Sequence, residues 1–410
     1  MTHRFTLAVV GGGAAGFFAA ITCAQRYPQH RVLLLEKTRQ VLAKVRISGG
    51  GRCNVTHACF DPALLVKNYP RGNKELRGPL SRFQPRDTIH WFESREVTLK
   101  TEEDGRIFPV TDQSETIIQC LLNEAKRVEV ELLLEHGLEA IRPLHPHGFI
   151  LEVARGQELK CDRLLLATGS SPKIYTLIEK LGHTIVPPVP SLFTFNIPDS
   201  PFLDLTGMTV SPVRVQLPQW KLEQQGPLLF THWGLSGPTV LKLSAWGARE
   251  LHAVDYQTQV QIQWVPHQLE EELHQHLQES KRQWAARQVG TEAFFALPKQ
   301  LWKRLVNLAG IAEEMRWAGL SHQQLQSLMR FLCSTSLNIQ GKTTYKQEFV
   351  TCGGVALEEV NFKTMESRRC PGLYFAGEVL NIDGVTGGFN FQNAWTTGWI
   401  AGQSIFSSFP

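Results

Sequence analysis

Two glycine-rich stretches, near opposite ends of the chain, have the residue types needed to bring backbone N–H groups close to an anionic ligand. In Val10-Gly-Gly-Gly-Ala-Ala-Gly16, Gly11, Gly13 and Gly16 stand at the G-x-G-x-x-G spacing. The first glycine permits a tight turn, the second close approach to a pyrophosphate, and the third close packing of helix on strand. A helix starting there offers its free N–H groups and positive dipole end to phosphate. Glu36, about 20 residues further on, ends the apolar run Leu33-Leu-Leu35 and suits the ribose hydroxyls of a dinucleotide. In the second stretch, Gly384-Val-Thr-Gly-Gly-Phe-Asn-Phe391, Gly387 and Gly388 precede an expected helix from Phe389 to Gly398. Its first N–H groups can stabilise charge on the N1–C2 carbonyl edge of a reduced flavin. A dinucleotide site assembled from both ends of a chain suggests FAD rather than a nicotinamide.

Further segments fit that reading. Ser48-Gly-Gly-Gly-Arg-Cys-Asn54 exposes the N–H groups of Gly49, Gly50 and Gly51 as a nest for anionic or carbonyl oxygens. Lys44, Arg46 and Arg52 add positive charge for a pyrophosphate or a reduced flavin; Cys53 and Asn54 close the segment. Leu164-Leu-Leu-Ala-Thr-Gly169 reads as a buried strand whose end, Ala167, Thr168 and Gly169, returns beside the adenine half. Gly372-Leu-Tyr-Phe-Ala-Gly-Glu378 reads as a strand and turn, with Gly377 in the turn, and Glu378 and Asp383 are candidates for ribityl hydroxyls. Thr231-His-Trp-Gly-Leu-Ser-Gly-Pro238 is too polar and glycine-rich for plain core: it is either a substrate-cavity wall with His232 as proton donor or a structural turn. The pairs His145/His147 and His274/His276 lack the cysteine or carboxylate companions of a metal site and read as surface histidines.

These segments need strands and helices to hold them. Phe5–Val10, the helix 14–25 and the strand 31–35 form the strand–turn–helix–strand context that the fingerprint requires. Ser114–Arg127 reads as a helix, 129–134 as a strand, and 148–154 with 158–161 as a hairpin feeding a further strand at 163–167. From Pro187-Pro-Val-Pro190 the texture changes. Strands are expected at 209–217, 228–231 and 260–265, then helices, with Leu269, Leu273 and Leu277 on one face and Phe294, Leu297, Leu301 and Leu305 on another. The expected architecture is α/β: a Rossmann-like FAD-binding domain from both chain ends (1–188 and 345–410), interrupted by a β-barrel-like subdomain (189–265) and a helical one (266–344).

The bulk numbers agree. A chain of 410 residues with 42% apolar and 20% charged residues is a multi-domain globular protein. Net charge is +4, and Lys and Arg are interleaved with Asp and Glu, so no basic tail argues for nucleic acid. The glycines at 11–13 break the one run resembling a signal peptide, and no stretch reaches the roughly 18 apolar residues of a spanning helix. Eight scattered cysteines without Cys-x-x-Cys read as free thiols in a reducing cytoplasm.

Gly11-Gly-Gly-Ala-Ala-Gly16, Ser48–Asn54, Leu229–Pro238, Thr364-Met-Glu-Ser367 and Gly372–Glu378 occur in an order that resembles the BaiN/YhiN-type NAD(P)/FAD-dependent oxidoreductases, a bacterial flavoprotein family, across the whole chain. The resemblance implies FAD against Ala15, Glu36, Lys37, Lys44 and residues 49–54, near Leu138, and against Glu378, Asn390 and Phe391. It also implies hydride transfer from NAD(P)H, bound transiently since only one fingerprint is present, to an organic substrate. Some relatives reduce C=C bonds conjugated to a ketone. Two departures bear on specificity: Ser170-Ser-Pro-Lys-Ile-Tyr175 is shorter than the usual loop, and Asn381 replaces an aspartate. No catalytic residue is assigned, His232 and Arg52 being the candidates. An oxygen-using oxidase or hydroxylase and a flavin-bearing binding or sensor protein remain the alternatives.

Overall fold

A computed structural model describes residues 4–291, 294–343 and 350–407. The expected boundary at 344/345 lies outside them. The chain forms two compact units: residues up to Val189 together with the C-terminal segment, and the segment from Pro190 between them.

The first unit is organised on five parallel strands, in the order Leu373–Phe375, Gln157–Leu166, Arg4–Val10, Val32–Leu35 and Glu131–Leu133. The central strand is flanked on both sides, Val10 pairing with Leu35 and with Leu166. Its apolar residues Leu7, Ala8 and Val9 are buried, as continuous apolar runs in parallel sheets are. The expected strands 158–161 and 163–167 are one continuous strand, Gln157–Leu166. It pairs with Phe149–Val153, which pairs with Leu138–Pro143, a strand whose polar alternation hid it.

The N-terminal helix, Ala14–Arg26, packs along the C-terminal helix, Phe389–Ser404. A methyl group on Gly398 would lie 2.6 Å from the Ala15 carbonyl oxygen, and one on Gly402 the same distance from that of Ala19. Only glycine allows the helices so close, and this contact joins the chain ends in one domain. Phe18 of one helix and Trp395 of the other meet at 5.3 Å, with Trp91 4.6 Å from Phe18. A small three-stranded sheet, from Thr56–His57, Leu99–Thr101 and Arg106–Pro109, had no clear signature in the sequence.

The second unit carries a seven-stranded sheet. Its end strands, Thr335–Gln340 and Lys342–Thr343, are separated in the chain by Gly341 alone, so the sheet curls back on itself. The helices Glu270–Gln283, Lys299–Leu308 and His322–Cys333 share one core with those strands, from Phe193 and Phe195 to Leu332 and Ile339. Leu273 and Leu277 are buried as expected, but Leu269 caps its helix and is 65% exposed. Phe294 and Leu297 precede the helix that carries Leu301 and Leu305, yet pack on the same core.

Candidate functional site

The fingerprint turn is built as its spacing demands. A methyl on Gly11 (φ +112°) would sit 2.4 Å from the Ala167 carbonyl oxygen and 3.0 Å from Thr168 Cα; one on Gly16 would sit 1.9 Å from the Gly11 oxygen. These glycines therefore clamp the first turn against the end of the strand at 157–166. Gly13 differs: it is the helix N-cap, no side chain caps the helix there, and a methyl on it would meet nothing within 4 Å. Open space in front of an uncapped helix N-terminus is the setting in which a pyrophosphate fits.

Glu36 folds over this turn. One carboxylate oxygen accepts the Gly12 N–H at 2.9 Å; the other accepts the Thr38 N–H and hydroxyl, both at 2.9 Å. A carboxylate has about four acceptor positions, so capacity for a further donor remains. Lys37 beside it is exposed, with its Cβ packed where a methyl on Gly137 would stand 3.3 Å away. The His136 N–H donates to the Glu36 carbonyl at 2.9 Å, which brings Leu138, itself buried, to the Glu36–Lys37 segment.

Residues 48–51 form a single tight turn in which Gly49, Gly50 and Gly51 are all left-handed (φ +58°, +69° and +87°). Methyl groups on Gly50 and Gly51 would meet nothing within 4 Å, so backbone conformation is what demands glycine there. The Ser48 hydroxyl donates to the Val45 carbonyl at 2.9 Å and holds the turn on the short helix Ala43–Ile47. Arg52 lies with its guanidinium 4.0 Å from the Phe108 ring centroid and is paired with Glu102 at 2.6 Å. That hydrogen bond, with Asp112 nearby, raises its pKa further, so Arg52 is a fixed cation and no proton donor. The Cys53 thiol is fully buried and desolvation pushes it up to about 12, a packed group and no nucleophile.

Asn54 links this turn to the far end of the sequence. With its amide oriented to pair both ways, the nitrogen donates to the Thr56 carbonyl at 2.9 Å and the oxygen accepts the Gly388 N–H at 3.0 Å. Gly388 (φ +93°) is the N-cap of the C-terminal helix, and a methyl there would lie 2.6 Å from the Thr56 oxygen. Asn390 staples the preceding loop, accepting the Gly384 N–H at 2.8 Å and donating to its carbonyl at 2.9 Å. Phe391 stacks on Trp395 at 5.7 Å.

The strand end at Phe375 brings Gly377 (φ +75°) to Ala15: a methyl there would be 2.9 Å from the Ala15 Cβ. Its N–H donates to Thr397 Oγ1 at 2.9 Å. Glu378 pairs with Lys44 and accepts the Thr351 N–H at 3.0 Å, and Gly169 lies against the same carboxylate. Asp383 differs from the role expected of it. It is fully buried with both carboxylate oxygens on Arg71, a residue the sequence reading had passed over. Asn381 is buried at its amide oxygen, for which no partner exists among the described residues. The shortened segment after Gly169 turns directly into the helix Pro172–Lys180, which sets the Tyr175 hydroxyl 3.5 Å from the Glu378 carbonyl.

His232 stands exposed in the tight turn between Leu222–Thr231 and Gly234–Ser236, in the second unit. Among the described residues no cluster of His, Cys, Asp or Glu is arranged to hold a metal, and no helix is long and apolar enough to cross a membrane.

Thus the cradle is lined from both chain ends, with open backbone at Gly13, Gly50 and Gly51. Comparison with known proteins gives the family. The model of the HI0933-like protein Rossmann domain matches residues 5–404. The chain belongs to the HI0933-like family. It is, as the motif order implied, an FAD-dependent oxidoreductase. It is 31% identical to the 3-dehydro-bile acid Δ(4,6)-reductase of Clostridium scindens, covering 97% of this chain and 98% of that one. It is 30% identical to the ribosomal RNA dihydrouridine synthase of Escherichia coli, covering 99% of each. The 3-ketosteroid-Δ4-(5α)-dehydrogenase of Rhodococcus jostii RHA1 shares the fold, with a TM-score of 0.52 over 98% of this chain and 97% of that one, at 13% identity.

Proposed function

We propose that this enzyme reduces a C=C bond conjugated to a carbonyl group, with NAD(P)H as a transient donor. The names of the two relatives describe one kind of reduction on two scaffolds: a 3-dehydro-bile acid ring and uracil each carry a C=C bond conjugated to a carbonyl. The observation that carries the reading is the cradle itself: uncapped, open backbone at Gly13 and three consecutive left-handed glycines at 49–51, held beside the N-terminus of the helix at Phe389. FAD held there would supply the hydride-transfer chemistry that such a reduction needs.

This chain's residues have separate tasks in that scheme. Gly13 and the first turn of its helix would hold the pyrophosphate, and Glu36 the adenosine ribose. The Gly49–Gly51 nest and the helix start at Phe389 would stabilise negative charge on the reduced ring. Lys44 and Glu378, as an ion pair, would position the ribityl side. Asp383 pairs with Arg71 and would act through that pair on the chain leading into the loop at 384–391.

Product mass tests the proposal. With NADPH or NADH under nitrogen, a conjugated enone or a uridine-containing RNA should gain two hydrogens. Reduced nicotinamide consumed only when air is admitted, with peroxide formed, would instead establish an oxidase.

A further inference from the structure

Every residue from Gly377 to Val385 is buried except two, Glu378 and Asn381. Glu378 commits its carboxylate to Lys44 and to the Thr351 N–H. The Asn381 carboxamide is committed to nothing. Its oxygen is buried, and the side chain makes no hydrogen bond among the described residues. An amide oxygen taken out of water without a donor costs the folded chain the desolvation of that group. Thr351 and Asn393 also carry orphaned oxygens, but at 1% and 2% exposure they are closed to any ligand. Asn381 is partly open.

The backbone fixes where this side chain stands. The Asn381 N–H donates to the Val355 carbonyl at 3.1 Å, and the Ile382 N–H to the Leu380 carbonyl at 2.7 Å. The second bond closes a three-residue turn with Asn381 at its centre. Leu380 and Ile382, on either side, are fully buried, so the amide is the one side chain that the turn leaves open. Upstream, Gly377 lies against Ala15 at the fingerprint turn; downstream, Asn390 holds Gly384 at the start of the C-terminal helix. Asn381 thus stands on the short stretch that joins the two halves of the cradle.

The amide suits the cofactor. A carboxamide offers two N–H donors and an acceptor oxygen, and a flavin offers its ring N3–H, its carbonyls and the ribityl hydroxyls. Charge agrees as well. Glu378 and Asp383, the carboxylates on either side of Asn381 in the sequence, are paired with Lys44 and Arg71. The amide between them adds no charge, whereas a carboxylate there would repel the negative charge that reduction puts on the ring.

We infer that the Asn381 carboxamide is a ligand of the bound flavin, and that its neutrality sets the reduction potential by sparing reduced FAD an unbalanced anion. The inference rests on the cradle reading for the place of FAD, and on no reading of the substrate.

The test uses the full-length protein with FAD as the probe. Asn381→Leu keeps the volume and removes the amide. It should weaken FAD binding at least tenfold, while the urea midpoint of the FAD-free protein stays the same or rises. Asn381→Asp, loaded with FAD and reduced alongside a reference dye at pH 8, should hold reduced FAD roughly tenfold more weakly relative to oxidised FAD. For a two-electron couple that is a potential about 30 mV lower. Thr239→Val removes an orphaned buried hydroxyl in the second unit and should change neither affinity nor potential. A lower urea midpoint in Asn381→Leu with FAD affinity kept would make the amide a structural group and overturn the proposal. So would an unchanged potential in Asn381→Asp, or equal changes in Thr239→Val. Gly13→Ala separates this failure from failure of the cradle. If it weakens FAD binding and Asn381→Leu does not, the cradle stands and the role of Asn381 falls; if neither weakens it, both fall.

Discussion

The side-chain amide of Asn54 spans two strands of backbone that lie far apart in the sequence, receiving the Gly388 N–H at 3.0 Å while donating to the Thr56 carbonyl at 2.9 Å. The glycine nest at 49–51 and the start of the C-terminal helix are thereby one structure. Asn54→Ala should leave both backbone groups without partners and cost about 2 kcal/mol. Urea unfolding would measure that loss, and FAD retention on gel filtration should fall with it.

Gly13 and Gly16 lie three residues apart yet should fail in different ways. Gly16→Ala puts a methyl 1.9 Å from the Gly11 oxygen and should prevent the turn from forming, with loss of soluble protein. A methyl at Gly13 meets nothing within 4 Å, so Gly13→Ala should cost the apoprotein less than about 1 kcal/mol. It should nevertheless lower FAD affinity at least tenfold. Calorimetry of the apoprotein against fluorimetric FAD titration separates the two effects.

Acid stability should depend on Glu124. This buried carboxylate accepts from Arg127 at 2.7 and 2.9 Å, from Gln25 at 2.5 Å, and pairs with Arg95 at 2.9 Å. The hydrogen bond from Arg127, with Arg95 beside it, holds its pKa below the ordinary carboxylate range despite burial. A depressed carboxylate contributes stability that is present above its unfolded pKa of about 4.3 and lost as pH falls through the lower folded value. Glu124→Gln should therefore cost about 2 kcal/mol at neutral pH, and less with increasing acidity below pH 4. Unfolding curves from pH 7 to 3 would show the two proteins converging.

Cys53, inside the Ser48–Asn54 segment, invites a redox role that its burial opposes. With desolvation pushing the thiol to about 12, iodoacetamide at pH 8 should leave it unmodified in the folded protein and label it in urea. Peptide mass mapping reads this directly, and early labelling of Cys53 would refute the packed assignment.

The local parts of this molecule were legible in its sequence. The order and spacing of Gly11, Gly13, Gly16 and Glu36 carry their own structural context, and the family implied by the motif order is the family found. Non-local pairings were not legible. Nothing near Asp383 in the sequence announces Arg71, and the sheet that brings Phe108 under Arg52 is made of short strands with mixed burial. Periodicity misplaced Leu269 because a helix end fits the same pattern as a helix interior.

The most direct test of the central claim is an anaerobic titration of the purified protein, first with NADPH or NADH and then with a conjugated enone or a uridine-containing RNA. The account predicts that the visible flavin band bleaches with nicotinamide and returns, without oxygen, as the double bond is reduced. A band that neither nucleotide bleaches, or that only air restores, would contradict it.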